Sequence, residues 1–146
     1  MKFTYEYPRP AVTTDALILC RDRGPVKLLL IQRGQEPYKG QWALPGGFIN
    51  MDEDLHEAVK REIEEETGLN LIGFEQLRTF GRPGRDPRHR TVTVAFYIFV
   101  DQCYEVKGMD DAMNAKWFSV HELPQMAFDH DEIVSYAFKK LDLISK

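Results

Sequence analysis

The chain of 146 residues contains no apolar run that approaches the length of a membrane span, and its first ten residues, MKFTYEYPRP, lack the apolar stretch that a signal peptide needs. A cytoplasmic protein with no membrane contact is therefore expected. Cysteine is scarce: Cys20 lies in DALILC and Cys103 follows FYIFV, far apart and outside any metal-ligand spacing. Two reduced, structural thiols are the expectation, with a disulfide as the open alternative. The four histidines, His56, His89, His121 and His130, also lack zinc spacing and are read as surface or packing residues. Positive charge is not in excess, with 19 Lys+Arg against 23 Asp+Glu and a net charge of −4. General nucleic-acid or membrane-surface binding needs a basic balance, so neither is expected. Repeats and low-complexity segments are absent, and a chain of this length suits one domain spanning 1–146 that buries roughly two-thirds of its unfolded surface.

What is present is a sequence of strands interrupted by two helices. Tyr7-Pro-Arg-Pro10 is an extended lead-in, because each proline biases its predecessor away from helix. Residues 11–20 and 26–32 read as strands flanking the turn Arg-Asp-Arg-Gly-Pro, a hairpin. Trp42-Ala-Leu-Pro-Gly-Gly47 is a short strand that breaks into a glycine turn. Asp52 or Asp54 can then cap a helix running to about Thr67, with Gly68 ending it. Residues 71–80, 91–100 and 115–120 are further strands, and Ile133, Ala137, Leu141 and Ile144 mark a packing helix over 130–144. This order supports a layered α/β or α+β arrangement and no more.

The helix after Gly47 is unusual in its acids. At about 100° per residue, Leu55, Ala58, Val59 and Ile63 share one apolar arc, and Glu62, Glu65 and Glu66 fall inside it or at its edge. Glu57, Lys60 and Glu64 occupy the opposite, solvated side. Inward-facing carboxylates must be neutralised by protonation, by basic partners or by bound cations. One turn separates Glu62 from Glu66, so the three can converge on one oxygen-lined site of the kind that hard cations such as Mg²⁺ or Mn²⁺ prefer. Gly46 and Gly47 add a place where backbone can approach a ligand closely.

The spacing is more specific than the wheel. Gly47, five residues, Glu53, seven residues, Arg61-Glu62-Ile63, one residue, Glu65-Glu66, one residue and Gly68-Leu69 resemble the Nudix box of Nudix hydrolases at every specified position across 47–69. Chance would produce that match about 10⁻⁸ times in such a chain, which removes coincidence as an account. The resemblance implies an α/β/α sandwich with a mixed sheet, and hydrolysis of a nucleoside diphosphate linked to a further group X. It implies Glu62, Glu65 and Glu66 as metal ligands, helped by the Gly46 carbonyl, and Arg61 paired with Glu53 to orient the box. For the general base it points to a loop carboxylate, here Asp111, with Glu62 as the competing candidate and Asp110 and Glu122 as weaker ones.

The identity of X depends on residues outside the box. RTFGRPGRDPRHR carries Arg78, Arg82, Arg85, Arg88 and Arg90 in an acidic chain, and guanidinium forks suit phosphate. The run from Gly84 to Ala95 resembles Nudix ADP-ribose pyrophosphatases and ADP-ribose-sensing regulators of NAD metabolism. ADP-ribose, cut to AMP and ribose 5-phosphate, is the expected substrate, with Arg33, Arg82, Arg85 and Gly47 contacting it and Phe80, Phe48 or Phe128 stacking its adenine. Hydrolysis of oxidised or non-standard nucleoside triphosphates is the enzymatic alternative. A non-catalytic ADP-ribose sensor is the alternative from another class. The winged helix of such regulators has no room before Lys146, and only about ten residues precede the first strand, so neither a DNA-binding domain nor a fused adenylyltransferase is expected. A homodimer is what the resemblance implies.

Overall fold

The computed structural model describes residues 2–143, so Ile144, placed above on the second helix, lies outside the described residues. Strands β1 (Ala11–Cys20), β2 (Lys27–Arg33), β3 (Trp42–Ala43) and β4 (Gly46–Phe48) precede helix α1 (Leu55–Thr67). Strands β5 (Glu75–Phe80), β6 (Thr91–Val100) and β7 (Ala112–Ser119) and helix α2 (His130–Lys140) follow. The sheet is mixed, in the order β3-β2-β1-β6-β5, with β4 pairing β1 and β7 pairing β2. β1 and β6 run parallel in an unbroken ten-residue register from Ala11↔Thr91 to Cys20↔Val100. Such a pair, covered on both faces, accounts for the near-continuous apolar run ALILC.

Each face of the sheet takes one helix. Ala16, Ile18, Leu29, Ile31, Val94 and Phe96 point to one side and pack with Val59 and Ile63 of α1. Leu17, Leu19, Leu28, Leu30 and Ala95 point to the other and pack with Ile133, Val134, Ala137 and Phe138 of α2. Strand periodicity of two therefore sends alternate residues to different helices, which makes an α/β/α sandwich.

Several element boundaries differ from those read in the sequence. The β1–β2 hairpin pairs only at its turn, at Leu19↔Leu28 and Cys20↔Lys27, because further down β1 is taken by β4. Residues 71–74 are not strand: Gly73 has φ 104°, and Phe74 leaves the sheet to join the core beneath α1. β7 begins three residues earlier than expected, at Ala112, where it meets Arg33. Cys20 and Cys103 form a disulfide with Cα atoms 5.4 Å apart, which corrects the expectation of two free thiols. The parallel register sets Cys20 beside Val100, and the chain turns back within three residues, a proximity that a linear spacing of 83 residues conceals.

Candidate active site

The box helix begins at Asp54, whose carboxylate accepts from the backbone while Glu57 reaches back to the Asp54 N–H, a reciprocal capping box. It ends at Gly68 in the left-handed region, as the sequence led one to expect. β4 runs antiparallel to β1, with Asp15 opposite Gly46 and Thr14 opposite Gly47, and this lays the two glycines against the inner side of α1. At Gly46 a side chain would meet backbone, and at Gly47 it would displace the Glu62 carboxyl group. A Cβ at Gly47 would stand 2.6 Å from the Glu62 carboxyl carbon, and one at Gly46 would collide with the Thr14 carbonyl. With no side chain in the way, the Gly46 N–H donates to Glu66 Oε1 at 2.7 Å.

Arg61 sits at the centre of the acids. Its Nε and Nη2 donate to both Glu53 oxygens at 2.6 and 2.8 Å, the pairing expected of the box. The same guanidinium also donates to the Phe48 carbonyl, to Glu62 Oε1 at 2.7 Å and to Glu65 Oε2 at 3.2 Å. Arg61 is thus not confined to orienting Glu53. Of the routes to neutralisation, a basic partner serves Glu62 and Glu65. Glu65 departs from the inward trio, being exposed and drawn toward Arg61 one turn before it. Among the described residues no three acids, histidines or cysteines already stand together in a metal-holding group.

Among the described residues Glu66 has no cationic partner in salt-bridge contact. Burial pushes its carboxyl well above the usual carboxylate range, the Gly46 N–H opposes that rise, and the charges of Glu62, Asp15 and Asp110 add to it. Glu62 is also raised, first by burial, with Arg61 opposing. Glu53 is lowered, chiefly by its hydrogen bond from Arg61. Three acids around a buried fourth, with oxygen as the only donor type, form a surplus of negative charge that fits a hard divalent cation. Glu62, Glu66 and Gly46 line one cleft and are the residues that could hold it, with exposed Glu65 joining them if it leaves Arg61.

The facing wall of the same cleft, whose volume is about 290 Å³, is cationic and aromatic. Arg85 is buried and donates to both oxygens of buried Asp129 at 3.0 and 2.7 Å. Arg88 donates twice to Asp86 and packs against the rings of Phe48 and Phe128, 4.9 and 5.1 Å from their centroids. Arg33 donates to the Pro37 carbonyl and lies 4.9 Å from the Phe128 centroid. Burial, followed by the nearby charge of Arg88, lowers its pKa. Asp110 and Asp111 close one end. The Asp111 carboxylate accepts from Gln35 Nε2 at 3.1 Å, and the Met109 N–H donates to the Glu66 carbonyl, tying this loop to the end of α1.

Two expected substrate residues lie elsewhere. Phe80 and Arg82 line a separate cleft between β5 and α2, where Phe80 meets Tyr136 and exposed Arg82 pairs with exposed Glu132. Phe80 is the last residue of β5 and packs against the α2 cluster, whereas the turn through Gly84 sends Arg85 back under Asp129. The sequence reading passed over Asp15, Asp86 and Asp129 and gave Arg88 no role of its own. His130 is interior, with Nδ1 accepting from the Leu44 N–H at 3.0 Å, the packing alternative of its reading with a hydrogen bond added. Asp15 did carry a signal, the one charged residue in β1, directly before the apolar run ALILC.

Comparison with known proteins bears on this site. A family model described as the NUDIX domain matches residues 9–137. The chain is 43% identical over 128 residues to an ADP-ribose pyrophosphatase of Methanocaldococcus jannaschii, which covers 88% of this chain and 73% of the relative. It is 33% identical over 141 residues to the ADPR responsive transcriptional repressor NtrR of Acinetobacter baylyi, covering 94% of this chain but only 56% of the repressor. Among solved structures, the NUDIX domain of Shewanella oneidensis NrtR in complex with ADP ribose superposes with a TM-score of 0.86 at 31% identity, over 92% of this chain and 90% of that one.

Proposed function

The chain belongs to the Nudix hydrolase family, and we propose that within it the protein hydrolyses ADP-ribose to AMP and ribose 5-phosphate with the help of a divalent cation. One observation carries this reading: a single cleft sets an acid wall, Glu62 and Glu66, against a wall of Arg33, Arg85 and Arg88 faced with Phe48 and Phe128. A diphosphate bridging two ribosyl groups presents anionic oxygens to both a cation and guanidinium forks, and its adenine offers a flat face to aromatic rings. The 43% identity to an ADP-ribose pyrophosphatase supports the same choice.

A Mg²⁺ or Mn²⁺ ion held by Glu62, Glu65, Glu66 and the Gly46 carbonyl would neutralise the diphosphate oxygens and make water more acidic. The remaining work falls to side chains. Arg33, Arg85 and Arg88 hold the anion, Phe48 and Phe128 exclude water along its flank, and Arg61 keeps Glu62 and Glu53 in register. Water forms a bond to one phosphorus as the bridging P–O bond breaks, and the water proton passes to a carboxylate. Asp111 or Asp110 on the loop after β6 is the acceptor in this reading, with Glu62 as the rival. Both aspartates line the cleft, and Asp111 also accepts from Gln35 Nε2 at 3.1 Å.

The test is turnover of ADP-ribose against a panel of nucleoside triphosphates with Mg²⁺, with products identified. AMP and ribose 5-phosphate in equal amounts are expected, and a preference for triphosphates would sink the substrate assignment. A second reading, an ADP-ribose-binding domain without catalysis, draws on the similarity to the repressor. Tight ADP-ribose binding with no product in the presence of Mg²⁺ or Mn²⁺ would replace the first reading with this one.

A further inference from the structure

Three consecutive residues at the start of α2 each break a local expectation. Phe128 has φ 54°, in the left-handed region that bulky side chains avoid. Asp129 occupies the N-cap position of α2 yet makes no side-chain capping bond. His130, in the first turn of a helix whose neighbours Asp131 and Glu132 are exposed, is 4% exposed. Departures from local rules that cluster on one corner mark a place where tertiary contacts decide the conformation.

Those contacts all lead to the cleft. The Asp129 carboxylate, withheld from capping, accepts from Nε and Nη2 of Arg85. The Phe128 ring lies under Arg33 and Arg88 at once and meets Tyr38 edge-on at 4.9 Å between centroids. The His130 ring accepts the Leu44 N–H through Nδ1, two residues before Gly46, whose own N–H holds Glu66. The Ala127 N–H donates to the Trp42 carbonyl and anchors the corner to the same turn. None of these residues belongs to the box, and α2 packs on the face of the sheet opposite α1.

We propose that Phe128-Asp129-His130 is a positioning corner that aligns the two walls of the cleft, Asp129 and Phe128 setting the arginines for the anion while His130 sets the Leu44-Pro45-Gly46 turn for Glu66. The two halves have different consequences. Misplacing Arg85 weakens a contact to substrate and raises KM, whereas misplacing the turn disturbs the acid wall and lowers kcat. This division rests on the ADP-ribose reading for its kinetic form but not for its binding form.

The experiment pairs kinetics with equilibrium binding. Asp129→Asn keeps the volume but gives Arg85 one acceptor in place of two, so KM for ADP-ribose is expected to rise about tenfold with kcat within about threefold, the scale of an outer-shell contact. Arg85→Ala combined with Asp129→Asn should raise KM no further than Arg85→Ala alone, because Asp129 acts through Arg85. His130→Ala should lower kcat about tenfold or more and weaken Mn²⁺ binding measured by calorimetry, with KM little changed. His130→Asn, whose Oδ1 can take the place of Nδ1, should restore both. Should His130→Ala not fold, His130→Gln replaces it, since its longer side chain places the acceptor nearer the Nε2 position.

Additive KM effects of Arg85→Ala and Asp129→Asn would overturn the Asp129 half. Equal behaviour of His130→Asn and the non-accepting variant, or Mn²⁺ binding that none of them alters, would overturn the His130 half. If the unaltered protein does not turn over ADP-ribose, the functional reading fails by itself. The corner is then judged by binding: selective loss of inorganic pyrophosphate affinity in Asp129→Asn and of Mn²⁺ affinity in the non-accepting His130 variant supports it, and parallel losses overturn it.

Discussion

Glu66 and His130 show how burial sets the chemistry of single residues in this cleft. Glu66 carries its carboxyl group among other acids, with the Gly46 N–H its hydrogen-bond donor among the described residues, so the side chain is expected to matter far more to the reaction than to folding. Glu66→Gln retains an acceptor for Gly46 and should leave the melting temperature close to that of the unaltered protein. Turnover should fall by about 10²-fold or more, and steady-state rates near the original would count against the acid wall as the reacting centre. His130 behaves oppositely. Burial pushes its pKa below the ordinary 6.5, Asp15 and Asp129 resist that fall, and Arg85 and Arg33 add to it. The unfolded chain therefore takes up the proton first as pH drops. Stability supplied by the neutral ring is complete above about pH 6.5 and is lost progressively as pH falls from there toward the lowered native value. Urea midpoints between pH 7 and pH 5 should decline more steeply for the unaltered protein than for His130→Asn, and parallel declines would remove His130 from the acid sensitivity.

At the scale of elements, legibility followed locality. The box helix was readable from end to end, because its cap at Asp54, its apolar arc and its stop at Gly68 all lie within fifteen residues of one another. Its acids were read less well. Glu65 turned outward because Arg61, one turn earlier, offers it a guanidinium, a contact that a helix wheel does not weigh against burial. The arginine-rich segment was read as one anion site, yet it straddles a turn, so Arg82 and Arg85 end in different clefts. The disulfide belongs to this scale as well, since it ties the end of β1 to the segment leading toward Asp110 and Asp111. Closing a loop of that length restrains the unfolded chain, and Cys103→Ser is expected to destabilise by about 2–5 kcal/mol in guanidinium titrations without reductant. Equal midpoints would mean that the thiols are reduced in solution, as the sequence reading had it.

For the whole molecule, the sandwich holds its acid wall through Arg61, the Gly46 N–H and the sheet, so the architecture is not expected to depend on a cation. Chelation with EDTA should abolish turnover while leaving circular dichroism unchanged and the melting temperature within a few degrees, and Mg²⁺ or Mn²⁺ should restore activity. Collapse of the fold on chelation would show the ion to be structural, since a metal that supplies folding energy takes the fold with it when removed. By itself the sequence determined the two helices, most of the strands and the acid-rich box helix, and the spacing of the box carried the resemblance that implied the family, the mixed-sheet sandwich and the pairing of Arg61 with Glu53. The elements and the box are properties of spacing along one helix and of alternation along strands, which depend on neighbours a few residues away. Only the tertiary structure decided that Cys20 meets Cys103, that Phe80 and Arg82 leave the cleft, that Asp15 and His130 enter it, and that Asp129 stands behind Arg85. Those outcomes depend on which strand lies beside which and on where α2 begins, pairings between residues as many as 86 positions apart that no local period records.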